Sequence, residues 1–246
     1  MIRIKILGSA SGIPTKTRFN TSISLVVGGD IYLFDAGEPV SGLLIRNNLD
    51  WNKIRAIFIS HLHTDHFSGI FQLLQSMQLT LRKNPLYLFM PAKGIESVEK
   101  FLKLFAIGPE HLPFKLNLLP VQKGFKDKNL RISAFPTTHF ISTHLSESWG
   151  FKIEGKKKKI LYSGDIGSFN DLNDHLDNLN LLILEFAHFK PEEAFSFFSS
   201  RGRKIKKIVI THIHPDLDKT GKEILTPNAS LNKRILAGYD GMEIDI

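Results

Sequence analysis

Residues 1–6 alternate apolar and basic side chains, the period of a half-buried β-strand. Two further β-rich runs, 22–27 and 31–35, meet at Gly28-Gly29, a hairpin signal. Gly37 and Pro39 then open a segment in which Val40, Leu43 and Leu44 fall at helical spacing. A β-branched and aromatic strand is expected over 55–60, followed by a helix whose apolar face is Ile70, Leu73, Leu74 and Met77. The pattern continues as strand 86–90, helix 96–105 and strands 115–121 and 130–136. A hairpin, 149–154 with 159–162, turns across Gly155 and its neighbouring lysines. Strand 181–185 follows, then a helix from Pro191 to 198, at the first-turn position proline favours. Strand 207–211 and a last helix over 228–236 complete the reading.

Part of this pattern occurs twice. The stretch from Ile54 to Asp65 lines up with that from Ile205 to Asp216, and each is preceded by a hairpin ending near an Asp and a Gly, at Asp35-Ala36-Gly37 and Gly164-Asp165. Two similar halves predict two facing sheets, each covered outside by helices, with a site at the rim where the halves meet. No linker or low-complexity stretch divides the 246 residues, so one domain over 1–246 is expected.

Composition narrows the setting. The chain carries a net charge of +8, which draws polyanions and acidic substrates but by itself serves solubility equally well. The absence of cysteine excludes disulfides, thiolate metal sites and a cysteine nucleophile, and fits a reducing compartment. No run of 18 apolar residues and no signal-peptide pattern occurs, so the expectation is a cytoplasmic protein without a membrane partner.

The chemistry concentrates at His61-Leu62-His63-Thr64-Asp65-His66, directly after the strand 55–60. Imidazole and carboxylate are ligands that borderline divalent metals accept. At the end of a strand His61 and His63 can point one way and Asp65 and His66 another, which suits two adjacent metals better than one. By analogy with His61, His212 at the end of strand 207–211 is a further candidate. Asp165, in a Gly-Asp-x-Gly turn, could bridge two cations. The last imidazole should follow strand 130–136, where His139 and His144 compete. His139 is preferred because it lies just beyond its strand, as His61 and His212 do. His214 and Asp216 copy His63 and Asp65 in position, but Pro215 and Leu217 break the pattern, so they are read as decoys for metal while His214 stays a candidate for touching substrate.

His-x-His-x-Asp-His after a hydrophobic strand resembles the signature of the metallo-β-lactamase superfamily. That resemblance implies a four-layer αββα sandwich of the α/β class and two divalent metal ions, zinc first, with manganese or iron also compatible. In the superfamily's pattern His61, His63 and the later histidine hold one metal, Asp65, His66 and His212 hold the other, and Asp165 bridges them. Asp35 is then an acceptor that orients a ligand. A spacing of six residues before a Gly-aromatic pair, seen in ribonuclease Z-like proteins, would instead pick His144 against Gly150-Phe151.

Within the superfamily the chain is closest to ribonuclease Z-like proteins, through Gly8–Arg18 with its Pro-x-Lys-x-Arg pattern, through Phe34–Glu38 and through Ser60–His66. The resemblance makes Lys16 and Arg18 candidate phosphate contacts, although Phe19 separates Arg18 from the expected Asn20. The family's His-Glu-Ala-Thr segment stands here as Leu184-Glu185-Phe186-Ala187-His188. Asp65, Glu185 and His188 are accordingly the catalytic candidates, with Glu185 or His188 as donor of a proton to the leaving oxygen. The long arm that grips the tRNA body has no room in the tight turn between strands 149–154 and 159–162. The expected function is a metal-dependent phosphodiesterase acting on RNA or a small nucleotide, with a homodimer admitted. The rivals are hydrolysis of a non-phosphate ester, lactone or thioester, and a non-catalytic nucleic-acid-binding or sensor role.

Overall fold

The computed structural model describes residues 1–139, 147–201, 205–218 and 234–246. In chain order the strands are β1 (Arg3–Gly8), β2 (Ser22–Val27), β3 (Asp30–Phe34), β4 (Ile54–Phe58), β5 (Leu86–Met90), β6 (Leu116–Pro120), β7 (Phe125–Lys126), β8 (Arg131–Pro136), β9 (Trp149–Gly155), β10 (Lys158–Tyr162), β11 (Leu181–Phe186), β12 (Ile208–Ile213), β13 (Ile235–Ala237) and β14 (Glu243–Asp245). They form two seven-stranded sheets, ordered β14-β1-β2-β3-β4-β5-β6 and β13-β12-β11-β10-β9-β8-β7. Helices α1 (Val40–Arg46), α2 (Thr64–Phe67), α3 (Gly69–Leu79) and α4 (Ile95–Leu104) follow strands of the first sheet, and α5 (Pro191–Arg201) and α6 (Pro215–Asp218) those of the second.

The layers follow from alternation. In β4, Ala56 and Phe58 point into the core between the sheets, while Ile57, and Ile59 just after the strand, pack beneath the helices with Ile70, Leu74 and Val98. In β11, Leu181 and Ile183 face inward, and Leu182, Leu184 and Phe186 pack outward with Phe198. Central parallel strands covered on both faces read as nearly continuous apolar runs for this reason. Stacked rings of Phe34, Phe58 and Phe89, 5.1 and 4.9 Å apart, meet Phe151 of the opposite sheet edge-on at 5.5 and 5.8 Å from the first two. This is the αββα sandwich expected from the sequence.

Three details differ from the sequence reading. Ile235 and Leu236 lie in β13, paired in parallel with Ile208 and Val209, not in a helix; the rest of the segment 228–236 up to residue 233 lies outside the described residues. Three apolar residues in a row carry no period that separates an edge strand from a helix end. The internal repeat is also offset by one strand. β4 runs parallel beside β3, but the strand beside β10 is β11, so β12 matches β5 in position. The register makes Ser163, not Asp165, the counterpart of Asp35: Asp35 N–H donates to Phe58 O as Ser163 N–H donates to Ile183 O. Likewise Ser60 N–H donates to Asp35 Oδ1 where Glu185 N–H donates to Ser163 Oγ. Glu185 and His188 therefore stand where Ser60 and His63 stand in the first half.

Among the described residues no helix is long and apolar enough to cross a membrane.

Candidate metal centre

The rim of the sandwich collects side chains from the ends of β3, β4, β8, β10, β11 and β12. Two of these residues leave ordinary strand geometry to do so. Asp35, just after β3, has φ +57°, and His212 has φ +54° at the point where β12 slips register against β11, between the pairs Glu185–Thr211 and Phe186–Ile213. A left-handed backbone is uncommon for residues other than glycine, and such outliers gather at functional sites. Gly37 is required for a different reason. A side chain there would bring a Cβ to 2.1 Å from the carbonyl of Asp65, so the loop of the histidine motif could not pack on it.

Three groups of ligand-type atoms lie close enough to hold an ion: His61, His63, His139 and Asp165; Asp65, His66 and His212; and Asp165, His188 and His212. Asp165 stands between the first two and belongs to the third. Its Oδ2 faces Nε2 of His61, His139 and His212 at 3.7, 3.6 and 3.3 Å, while its Oδ1 faces Nε2 of His66 at 3.4 Å. His66 Nε2 also lies 3.3 Å from Asp65 Oδ2. His144, the competitor of His139, lies outside the described residues.

Hydrogen bonds behind the cluster orient three of the rings, His212, His61 and His66. Thr21 Oγ1 donates its proton to Ala10 O at 2.9 Å, so at 2.8 Å from His212 Nδ1 it must accept, and Nε2 of His212 is left with its lone pair toward Asp165. Ser60 Oγ donates to Asp35 Oδ2 at 2.9 Å and therefore accepts from His61 Nδ1 at 3.0 Å. Asp35 Oδ2 also accepts from His66 Nδ1 at 2.8 Å and from the hydroxyl of Tyr162 at 2.5 Å. Thr21, Ser60 and Tyr162 were invisible as site residues in sequence, because a hydroxyl beside an apolar run has no spacing signature. The order in which each follows or precedes a ligand-bearing loop was the available signal.

The charges are strongly redistributed. Burial pushes His61 well below the ordinary imidazole value, helped by His66, and burial likewise lowers His212 and brings His139 to about 4. Burial would also lower His66, but the carboxylates of Asp165 and Asp35 outweigh it and hold His66 well above its usual range. Burial would raise Asp165; the imidazoles of His212 and His66 overcome it and hold the carboxyl well below. The cluster thus keeps its carboxylate charged and most of its imidazoles neutral, the protonation states that metal ligands need. Buried His66 Nε2 and Asp165 Oδ1 face one another without a well-formed hydrogen bond, as donor atoms aimed at an ion would. The residues present fit a divalent metal centre.

A cavity of about 440 Å³ opens over the cluster. His63, Asp65, Asp165 and His212 form its floor, and Ser11, Gly12, Ile13, Ala187, His188 and His214 its walls. Glu185 is not on the wall. It is buried behind His188, accepting from His188 Nδ1 at 3.0 Å and from the backbone N–H of Ala187 at 2.9 Å. That hydrogen bond, more than burial opposes it, raises the pKa of His188. Neither Lys16 nor Arg18 reaches the cavity wall. Lys16 is exposed, and the guanidinium of Arg18 donates to Ser9 Oγ at 2.7 Å and Gly238 O at 2.6 Å. The returning C-terminal loop captures this arginine, a long-range contact that a local motif could not reveal.

A family model described as anti-Pycsar protein Apyc1 matches residues 2–200. The chain belongs to that family. The Apyc1-family chain is also 33% identical over 145 residues to ribonuclease Z of Methanococcus maripaludis, a match covering 57% of this chain and 46% of that protein. It spans about half the length of the curated relatives it matches. Human tRNase Z, short form, superposes with a TM-score of 0.76 at 23% identity, covering 99% of both chains. Zinc-bound PqqB from Methylobacterium extorquens superposes at 0.74 and 17% identity, covering 99% of this chain and 100% of that one. The likeness to these solved structures shows a shared fold.

Proposed function

We propose that the protein is a metal-dependent hydrolase, and that its reaction is cleavage of a phosphodiester in RNA or a small nucleotide by an activated water. The observation that carries this reading is the place of Asp165 between two ligand sets, with Oδ2 toward His61 and His139 of one, and Oδ2 and Oδ1 toward His212 and His66 of the other. His61, His63 and His139 would hold one divalent ion, Asp65, His66 and His212 a second, and Asp165 both. Zinc suits these nitrogen and oxygen donors, and manganese or iron would also be accepted. Two such ions polarise phosphoryl oxygens and lower the pKa of a water, which is the chemistry of in-line displacement.

The chain's own residues divide the remaining work. His188 is the proton donor to the leaving oxygen: it lines the cavity, and Glu185 orients it and favours its charged form. Glu185 acts through His188 and not on substrate. Asp65 lines the cavity floor and lies 3.9 Å from His212 Nε2, positioned to orient a water as well as to ligate. Asp35 orients His61 through Ser60 and His66 directly. The family's relatives named ribonuclease Z support phosphodiester chemistry.

The β9–β10 turn argues for small or unstructured substrates over a tRNA body. Only Lys156 and Lys157, both in left-handed conformation at φ +48° and +62°, separate the two strands, where a gripping arm would have to emerge. The test is catalytic efficiency on four substrates at one salt concentration: a precursor tRNA, a short unstructured RNA, bis(4-nitrophenyl) phosphate and a lactone. Turnover of the diester and of both RNAs at similar efficiency is expected. Activity on the lactone alone would remove the phosphodiesterase reading.

A further inference from the structure

We propose that His214 is a phosphate-binding residue of the cavity, its Nε2–H donating to a nonbridging oxygen of the substrate. The inference rests on the phosphodiesterase reading above and adds the group that takes the place assigned by sequence to Lys16 and Arg18.

The backbone puts His214 on the wall. Ile213 N–H donates to Ser9 O at 2.9 Å and Ser11 N–H donates to Ile213 O at 3.2 Å, so the end of β12 is stitched to the loop that forms the opposite lip. With Ile213 buried in that ladder, the next side chain turns onto the cavity beside Ser11, Gly12 and Ile13. Gly12 on this lip lies close to the floor, where a Cβ would sit in van der Waals contact with Asp65 Oδ2 at 3.8 Å.

Asp216 occupies the Nδ1 side of the ring: its backbone N–H lies 3.3 Å and its carboxylate Oδ2 3.5 Å from Nδ1, which leaves Nε2 as the opposite edge. The residue lines the cavity, and the side chain is 41% exposed. Among the described residues His214 belongs to none of the groups able to hold an ion, so its role there is not ligation. No lysine or arginine is among the described residues lining the cavity, and Arg18 is committed to Ser9 and Gly238. His188, which can also join Asp165 and His212 as a ligand, is bound through Nδ1 to Glu185 and fitted to the leaving oxygen; His214 is the cavity imidazole outside every ligand set and offers its N–H to the phosphate itself.

The experiment compares wild type with His214→Leu, His214→Gln and His214→Asn, all metal-loaded. It measures KM and kcat on bis(4-nitrophenyl) phosphate, the inhibition constant of dimethyl phosphate, and bound metal by elemental analysis. Leucine should raise both KM and the inhibition constant about tenfold, the size of one hydrogen bond to a charged partner, with metal content unchanged. Glutamine, whose amide reaches the Nε2 position, should recover most of that loss, and the shorter asparagine should not. If the leucine variant fails to fold, the glutamine–asparagine difference still decides. Unchanged KM and inhibition constant, a fall in kcat alone, or loss of metal would overturn the role of His214. Wild type that cleaves the lactone and leaves the diester intact would overturn the phosphodiesterase reading and this proposal with it. Wild type that cleaves the diester alongside an unaffected leucine variant would overturn only the latter.

Discussion

The hydroxyl of Tyr162, at the end of β10, donates to Asp35 Oδ2, just after β3, at 2.5 Å. The bond joins the two sheets at the rim, and the same oxygen accepts from Ser60 Oγ and His66 Nδ1. One buried carboxylate therefore holds a member of each ligand set, His66 directly and His61 through Ser60. Burial and the neighbouring charge of Asp35 raise the Tyr162 pKa well above its usual value, so the phenol stays protonated and remains a donor.

Removing the acceptor should cost more than removing one donor. Asp35→Asn presents an amide N–H to groups that themselves donate, and should weaken metal affinity or activity about 10–100-fold, the usual effect of losing a partner that orients a ligand. Tyr162→Phe leaves the Ser60 and His66 bonds in place and should have a smaller effect of the same sign. Metal titration of both variants with a competing chelator checks the order. A phenylalanine variant weaker than the asparagine variant would show that Asp35 depends on Tyr162 more than on its near neighbours.

Asp165→Asn should lower the metal bound per chain by more than the loss of any one histidine, because its carboxylate faces His61 and His139 of one set and His66 and His212 of the other. Elemental analysis after dialysis gives the number. Full occupancy with normal activity in this variant would take Asp165 out of the shared position.

Metal binding should release a proton. Without metal, His66 is held charged by Asp165 and Asp35, and its Nδ1–H already serves Asp35, so the proton displaced by an ion must leave Nε2. Calorimetric titration in buffers of different ionisation enthalpy at pH 7 should show about one proton released from this ring. The sign carries over to the metal-free chain. A raised folded-state pKa stabilises fully below about pH 6.5, the unfolded value, and that contribution fades as pH rises through the folded pKa. Binding without proton release would mean that His66 is neutral before the metal arrives.

Much of the site was legible because ligand chemistry needs particular residue types at strand ends. His61, His63, Asp65 and His66 announce themselves in six residues, and His139, Asp165 and His212 occupy ends of strands readable from β-rich runs. What held those residues was not legible. Thr21 reaches His212 across 191 positions and Asp240 reaches Ser9 across 231, while Arg18 reads as a phosphate contact until the C-terminal loop closes over it. The repeat misled for a related reason. Parallel strands buried on both faces share one composition, so β12 resembles β4 in sequence although β11 occupies the matching place.

Stability should depend unusually on Arg82, the largest fully buried side chain. Its guanidinium lies near the ring of Phe114 at 5.5 Å and donates to backbone oxygens: Nε to Asn84 O at 2.8 Å, Nη1 to Trp51 O at 2.5 Å, and Nη2 to Ile54 O at 2.5 Å and Pro85 O at 3.2 Å. Burial lowers its pKa to about 10, which still leaves a full cation at neutral pH. These carbonyls belong to the segments entering β4 and β5, the strands that carry the histidine motif and its neighbour. Arg82→Ala would leave them without donors and open a cavity, and both losses add. A cost of about 3–5 kcal/mol is expected, read as a shift in the urea midpoint at unchanged slope. Arg82→Met fills much of the volume but supplies no donor, so it should recover the packing part alone. If methionine restored full stability, the hydrogen bonds to Trp51, Ile54, Asn84 and Pro85 would contribute little, and the entry to β4 would be held by packing.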